Sequence, residues 1–201
     1  SYAATFDGGI LIVDESTNEM ESQPTQAQQV VWYDSLVNHA PHGLFVLDTA
    51  STHLTKSDVS RFSSIAWIDD DIFAKLLAAN TATLGWFLGH KTNMLIAGFR
   101  TTDKSTTTPV PSSHIFKTQF GLSSFYVSSQ SDFVGAKGQD GWPSVQVDEY
   151  RGASYLSYID HLTGVSGSTV IYRYDADDDD PALENKPVGI AWQAPTGKRI
   201  L

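Results

Sequence analysis

Cysteine is missing from all 201 residues of this chain. Its absence excludes a thiol nucleophile, a zinc site with thiolate ligands and any disulfide. The absence of cysteine does not indicate the cellular compartment, because a secreted α/β domain with a sufficient hydrophobic core needs no disulfide.

Positive charge is scarce. The chain has 13 Lys and Arg against 23 Asp and Glu, a formal net charge of -10. Because no basic stripe is present to offset phosphate repulsion, we expect no nucleic-acid partner. The same charge disfavours an anionic membrane surface, and no apolar stretch approaches the length that spans a bilayer. We therefore expect no membrane partner either.

Short hydrophobic runs are present, and three of them end in carboxylates. Such runs, separated by helix-length stretches, indicate parallel strands, which we predict near 10–14, 44–48, 64–69 and 94–99. The helices are predicted over 24–38 and 72–88, with apolar faces that include Val30, Val31 and Leu36 in the first. A long loop is predicted over 101–113, an irregular excursion or hairpin over 123–147, and late strands over 168–174 and 187–193.

This pattern predicts one α/β domain over residues 1–201. Its expected architecture is a three-layer α/β/α sandwich with a mainly parallel, doubly wound sheet, flavodoxin-like or Rossmann-like. The first residue is Ser1 rather than Met, and the last segment enters a strand that stops almost at once. We expect a domain excised from a longer polypeptide; a short final edge strand is the alternative.

Five segments together resemble a family of non-catalytic, flavodoxin-like or class I glutamine-amidotransferase-like domains of large secreted bacterial proteins, often beside peptidase or adhesion modules. They are GGILIVDES, SRFSSIAWIDDD, TNMLIAGFR, SDFVGAKGQDGWPSVQVD and KPVGIAWQAPTGKRIL. The resemblance implies the three-layer sandwich, an extracellular or cell-surface location and an accessory role as spacer, interaction module or support. The partners it implies are neighbouring domains of the same polypeptide. Because the matched motifs are structural, it assigns no functional residue.

The amidotransferase comparison is useful for what this chain lacks. Those enzymes place a Cys between glycines on a strand-to-helix elbow, with a His and an acid completing the triad. Here the fourth strand leaves through Ala97-Gly98-Phe99-Arg100-Thr101, with neither the nucleophile nor the flanking glycines. That activity is therefore not expected.

The acids at the strand ends carry the alternative function, a metal-assisted hydrolase or phosphotransfer domain. In open α/β sheets ligands bind at the carboxyl ends of the strands, and carboxylates there can hold Mg²⁺. The opposing interpretation is that these acids cap helices and face water. The residues concerned are Asp14, Glu15, Asp69, Asp70 and Asp71.

Two further places are candidate binding sites. Asp175, Asp177 and Asp179 alternate as Ca²⁺ ligands would, although Asp180 and Lys186 stand where an EF-hand loop needs Gly and Glu. A looser Ca²⁺ cage and a solvated acidic loop both remain open, and Ca²⁺ is the one cofactor considered. Trp142, in a Gly-rich loop, would either stack on a ligand or pack onto the core.

Overall fold

The structure is a computed structural model, and it describes residues 4–15, 26–38, 40–47, 52–69, 75–98, 100–129, 132–147, 158–177 and 182–201. The chain divides into two compact units. The first unit comprises Ser1–Gly98 and Pro195–Lys198, and the second comprises Phe99–Ala194 and Arg199–Leu201. None of the described helices is long and apolar enough to cross a membrane.

A parallel sheet forms the first unit. Its strands are β1 (Gly8–Asp14), β2 (His42–Val46), β3 (Phe62–Asp69) and β4 (Asn93–Gly98), in the order β2-β1-β3-β4. All three pairings are parallel. Gly9 allows the close approach of the chain beside β2, because a Cβ there would lie 1.6 Å from the Pro41 carbonyl oxygen. The predicted α/β class and the four predicted strands are confirmed.

Helix α1 (Gln26–Leu36) buries a different face from the predicted one. Gln29 and Tyr33 are buried, whereas Val31 is 70% and Leu36 60% exposed. Polar and apolar residues are mixed around its circumference, so the positions of its apolar residues do not define which side packs inward. The predicted start of this helix, at residues 24–25, lies outside the described residues.

The second predicted helix is divided. Its two parts are α3 (Leu76–Ala79) and α4 (Thr81–Leu88), which are separated by Asn80. A separate short helix with a capped start, α2 (Lys56–Val59), lies before β3. The buried Asn80 side chain accepts from the Leu54 amide at 2.7 Å and donates to the Leu76 carbonyl at 2.8 Å. Because its amide group caps the end of α3 and binds the neighbouring loop, the prediction of one continuous helix was wrong at Asn80. The first part of the predicted range, residues 72–74, lies outside the described residues.

Antiparallel pairing distinguishes the second unit. It contains α5 (Thr101–Ser105), α6 (Ile115–Thr118), β5 (Leu122–Val127), β6 (Phe133–Gly138), β7 (Val145–Gln146), β8 (Asp160–Gly164), β9 (Thr169–Ala176) and β10 (Pro187–Ala194). β10, β9, β6 and β7 follow one another in a sheet, and β5 pairs with β8 in a second one. The last strand, β11 (Gly197–Ile200), is followed by Leu201, which exchanges two backbone hydrogen bonds with Ile190 of β10.

Three expectations for this half need correction or refinement. The predicted loop 101–113 begins with helix α5. The late strands are confirmed as β9 and β10, but they pair antiparallel rather than continuing a parallel pattern. The predicted excursion 123–147 contains most of β5, together with β6 and β7, and the last two form a hairpin.

Candidate functional site

The carboxyl ends of β1 and β3 hold the described acids of the predicted cluster. Asp14 ends β1, Glu15 follows it, and Asp69 ends β3. All three residues are buried, with at most 1% exposed. In this strand order the sheet reverses its direction of winding between β1 and β3, the usual ligand position of open α/β sheets. Asp70 and Asp71 lie outside the described residues.

Glu15 is engaged through both carboxylate oxygens. Its Oε2 accepts a hydrogen bond from the Trp67 indole Nε1 at 2.7 Å, and its Oε1 accepts one from the Leu76 backbone amide at 2.7 Å. Trp67 lies in β3 and is completely buried, while Leu76 is the first residue of α3. Because a buried carboxylate requires hydrogen-bond donors, this side chain fastens the end of β1 to β3 and to the start of α3.

The sheet register separates Asp14 from the other two acids. Val13 pairs with Trp67, and Asp14 pairs with Ile68. Since successive side chains of a strand alternate between faces, Asp14 belongs to the face opposite the one shared by Glu15, Trp67 and Asp69. Within the described part of the chain, no group of three or more His, Asp or Glu side chains has an arrangement that could hold a metal ion.

A charged cluster in the second unit surrounds the turn that follows β4. Arg100 has left-handed backbone angles, φ 54° and ψ 28°. Its guanidinium binds both oxygens of Asp103, with the shortest contact at 2.5 Å, and lies 5.2 Å from the ring centre of Tyr158, whose φ is 72°. The hydrogen bond that Arg100 donates to Asp103 raises the pKa of Arg100, so the guanidinium remains charged. Left-handed backbone in large side chains is uncommon and often marks a functional turn.

Asp160 joins the start of β8 to α5. Its Oδ2 accepts hydrogen bonds from the Thr102 amide at 3.0 Å and from the Thr102 hydroxyl at 2.5 Å. Burial raises the pKa of Asp160 to about 6, against the lowering effect of these bonds. Its Oδ1 has no hydrogen-bond partner within the described residues. Asp160 was not predicted from the sequence, because the segment around it lacks the apolar alternation that would have predicted β8.

The predicted Ca²⁺ ligands lie at the end of β9. Asp175 accepts from the Lys137 ammonium at 2.9 Å, and Glu184 binds the same ammonium and also accepts from the Ala176 amide at 2.9 Å. The hydrogen bond to Glu184 is the main cause that raises the pKa of Lys137. Asp177 is described, whereas Asp179 lies outside the described residues. A lysine ammonium therefore already provides positive charge beside Asp175, one of the three candidate Ca²⁺ ligands.

Trp142 lies in the turn between β6 and β7. Its amide donates to the Gln139 carbonyl at 3.0 Å, which closes the turn. The indole meets the Tyr172 ring edge-on, with 5.9 Å between ring centres, and the residue is half-buried. This geometry agrees with the packing role, and the partly exposed indole leaves stacking on a ligand as a prediction.

Comparisons with known proteins identify the fold relation alone. No family model matches the chain, and no curated protein matches it. Among solved structures, the chain is similar to a ThuA-like protein from Bacteroides uniformis, with a TM-score of 0.51 and 9% sequence identity. The match covers 100% of this chain and 83% of the other. ThuA-like proteins have a glutamine-amidotransferase-like fold, so the expected fold relation is supported.

Proposed function

We propose that this chain is a non-catalytic accessory domain of a secreted or surface-exposed bacterial protein, acting as support or interaction module for neighbouring domains of the same polypeptide. The proposal includes the three-layer α/β/α arrangement that the family resemblance implies. The observation that carries it is the engagement of Glu15. Glu15 lies at the sheet edge where a ligand was expected, and its two carboxylate oxygens accept hydrogen bonds from Trp67 and Leu76. These bonds give the side chain a structural role.

The turn after β4 supports the same proposal. An amidotransferase-like enzyme needs a nucleophile at its strand-to-helix elbow. Here the residue in left-handed conformation is Arg100, a group with no nucleophilic or general-base capacity while it remains protonated. Its pKa is raised by the hydrogen bond to Asp103, which holds it in that state. A strained turn therefore supports an ion pair in place of a nucleophile.

The test is a search for turnover with matched variants. Hydrolysis of phosphate and carboxylic esters, and phosphoryl transfer from acetyl phosphate, are measured with Mg²⁺ and with Mn²⁺. The wild type is compared with the double variant Asp14→Asn/Asp69→Asn, which removes two strand-end acids but leaves Glu15 in place. The proposal expects equal, background rates. A metal-dependent rate that the double variant loses would establish the alternative, a metal-assisted hydrolase or phosphotransfer domain.

The reading frame around this segment tests the setting. We expect a signal peptide and adjoining peptidase, adhesion or sorting modules. A cytoplasmic reading frame that contains this domain alone would contradict the extracellular accessory role.

A further inference from the structure

The second unit contains a buried histidine. His161 of β8 is 7% exposed and pairs in register with Tyr126 of β5. Its imidazole stacks on the Tyr126 ring, with 6.1 Å between centres and 23° between planes, and lies 5.2 Å from the ring centre of Tyr174 in β9. The imidazole is thus held between aromatic rings from two different strands.

Polar atoms in this region lack partners. The Tyr174 hydroxyl donates to Oδ1 of Asp132, but the buried Oδ2 of Asp132 has no hydrogen bond within the described residues. The same holds for both ring nitrogens of His161. Buried polar groups in folded proteins are nearly always paired, so three such atoms on two side chains that both contact Tyr174 require an explanation.

The charged groups around His161 act in opposite directions. Burial is the main cause that lowers the pKa of His161, and the nearby Lys186 ammonium lowers it further. Asp132 raises it, which makes its carboxylate the group that favours the imidazolium. Lys186 immediately precedes β10 and Asp132 immediately precedes β6. The groups contributed by β5 and β9 are the Tyr126 and Tyr174 rings.

We propose that His161 and Asp132 form a proton-sensitive pair: when His161 takes up a proton from solvent, a charged imidazolium arises between the two tyrosine rings, and Asp132 is its counter-ion. The charge loosens the packing of β8, because a buried cation costs more than a buried neutral ring. Asp132 limits that cost through the attraction between its carboxylate and the imidazolium, since both side chains contact Tyr174. The Asp132 carbonyl also accepts from the Asp177 amide at 2.8 Å, so the pair adjoins one of the candidate Ca²⁺ ligands.

The sign of the effect is fixed by linkage. His161 has its pKa lowered from 6.5 in the folded state, so between the two values the unfolded chain binds more protons. Stability is therefore lost as the pH falls below 6.5. The pair makes the second unit sensitive to mild acid, and replacing His161 with Phe removes this contribution while keeping an aromatic ring between the tyrosines.

The test is an NMR titration of the His161 ring in the wild type, Asp132→Asn and Lys186→Gln. Asn at 132 still accepts from Tyr174, and Lys186 is exposed, so both variants preserve the packing. We expect a wild-type midpoint below that of a model histidine peptide, a still lower midpoint in Asp132→Asn and a higher one in Lys186→Gln. A histidine that stays neutral until the chain unfolds would respond to neither substitution.

Two results would overturn the proposal. One is a wild-type midpoint at or above the model peptide, and the other is a midpoint unchanged by either substitution. Thermal unfolding gives a second measurement. The difference in midpoint between His161→Phe and wild type should widen in favour of the variant as the pH falls from neutral to mildly acidic, and a constant difference would contradict the pair.

Discussion

Replacing Glu15 with Gln tests the structural role of the buried acid at the end of β1. The carboxylate accepts from Trp67 and from Leu76, one donor at each oxygen. A carboxamide has one accepting oxygen and one NH₂ group, so one of the two donors loses its partner. Hydrogen bonds to charged groups contribute about 1.5–3 kcal/mol, and a buried donor without a partner adds to the cost. We therefore expect a loss of about 3 kcal/mol in the free energy of unfolding.

Urea unfolding, followed by circular dichroism, measures this loss. For a chain of this length about 3 kcal/mol corresponds to a fall of roughly 6–12 °C in the thermal midpoint. Asp140→Asn is the matched control, since it makes the same carboxylate-to-carboxamide change at an exposed turn position and should alter stability by less than about 0.5 kcal/mol. A Glu15→Gln variant as stable as this control would refute the structural assignment.

Two further predictions concern the second unit. Asp160→Asn keeps an oxygen that accepts from Thr102 and removes the charge. Because the folded pKa of about 6 exceeds the ordinary 3.8, the wild type gains stability relative to this variant as the pH falls from 7.5 to 4. The gain is at most about 3 kcal/mol, at about 1.4 kcal/mol per pH unit. Urea unfolding of both proteins measures it, and a difference that does not depend on pH would contradict this prediction. At Asp175 and Asp177, we expect equal melting midpoints in EDTA, Ca²⁺ and Mg²⁺ for the wild type, since Asp175 is already paired with Lys137. In Lys137→Met we expect a Ca²⁺-specific rise of a few degrees, and a Ca²⁺-specific rise in the wild type would establish the Ca²⁺ alternative.

The strands of the first unit were predictable because their sequence signal is local. β1 and β3 are β-branched or aromatic runs that end in acids, and parallel strands buried on both faces carry this composition. The helices were less predictable. The buried face of α1 uses Gln29 and Tyr33, and the break at Asn80 depends on a hydrogen bond to Leu54, 26 residues away. The spacing of apolar residues in the sequence predicts neither the buried face of α1 nor the break at Asn80.

The site shows the same division between local and distant information. Sequence reasoning placed Asp14, Glu15 and Asp69 at one edge, because strand ends are local features. It left open what they do there, because the donors of Glu15 are 52 and 61 residues away along the chain. Likewise, Asp160 and His161 are adjacent in sequence, but burial in the folded chain is the main cause of both altered pKa values. The groups that modify them, Thr102 for Asp160 and Lys186 and Asp132 for His161, are distant in sequence. Only the folded arrangement supplies those neighbours.

Paramagnetic broadening by Mn²⁺ tests the central claim most directly, since this ion prefers carboxylate ligands. The chain has five tryptophans, each with an indole N–H resonance in a ¹⁵N spectrum. The Trp67 indole donates to Glu15 at 2.7 Å, so a metal ion bound by the strand-end acids would lie close to that proton. If these acids serve the fold, the Trp67 resonance broadens no more than those of the other indoles as Mn²⁺ is added. Selective, saturable loss of the Trp67 signal would contradict the account and favour a metal-dependent enzyme.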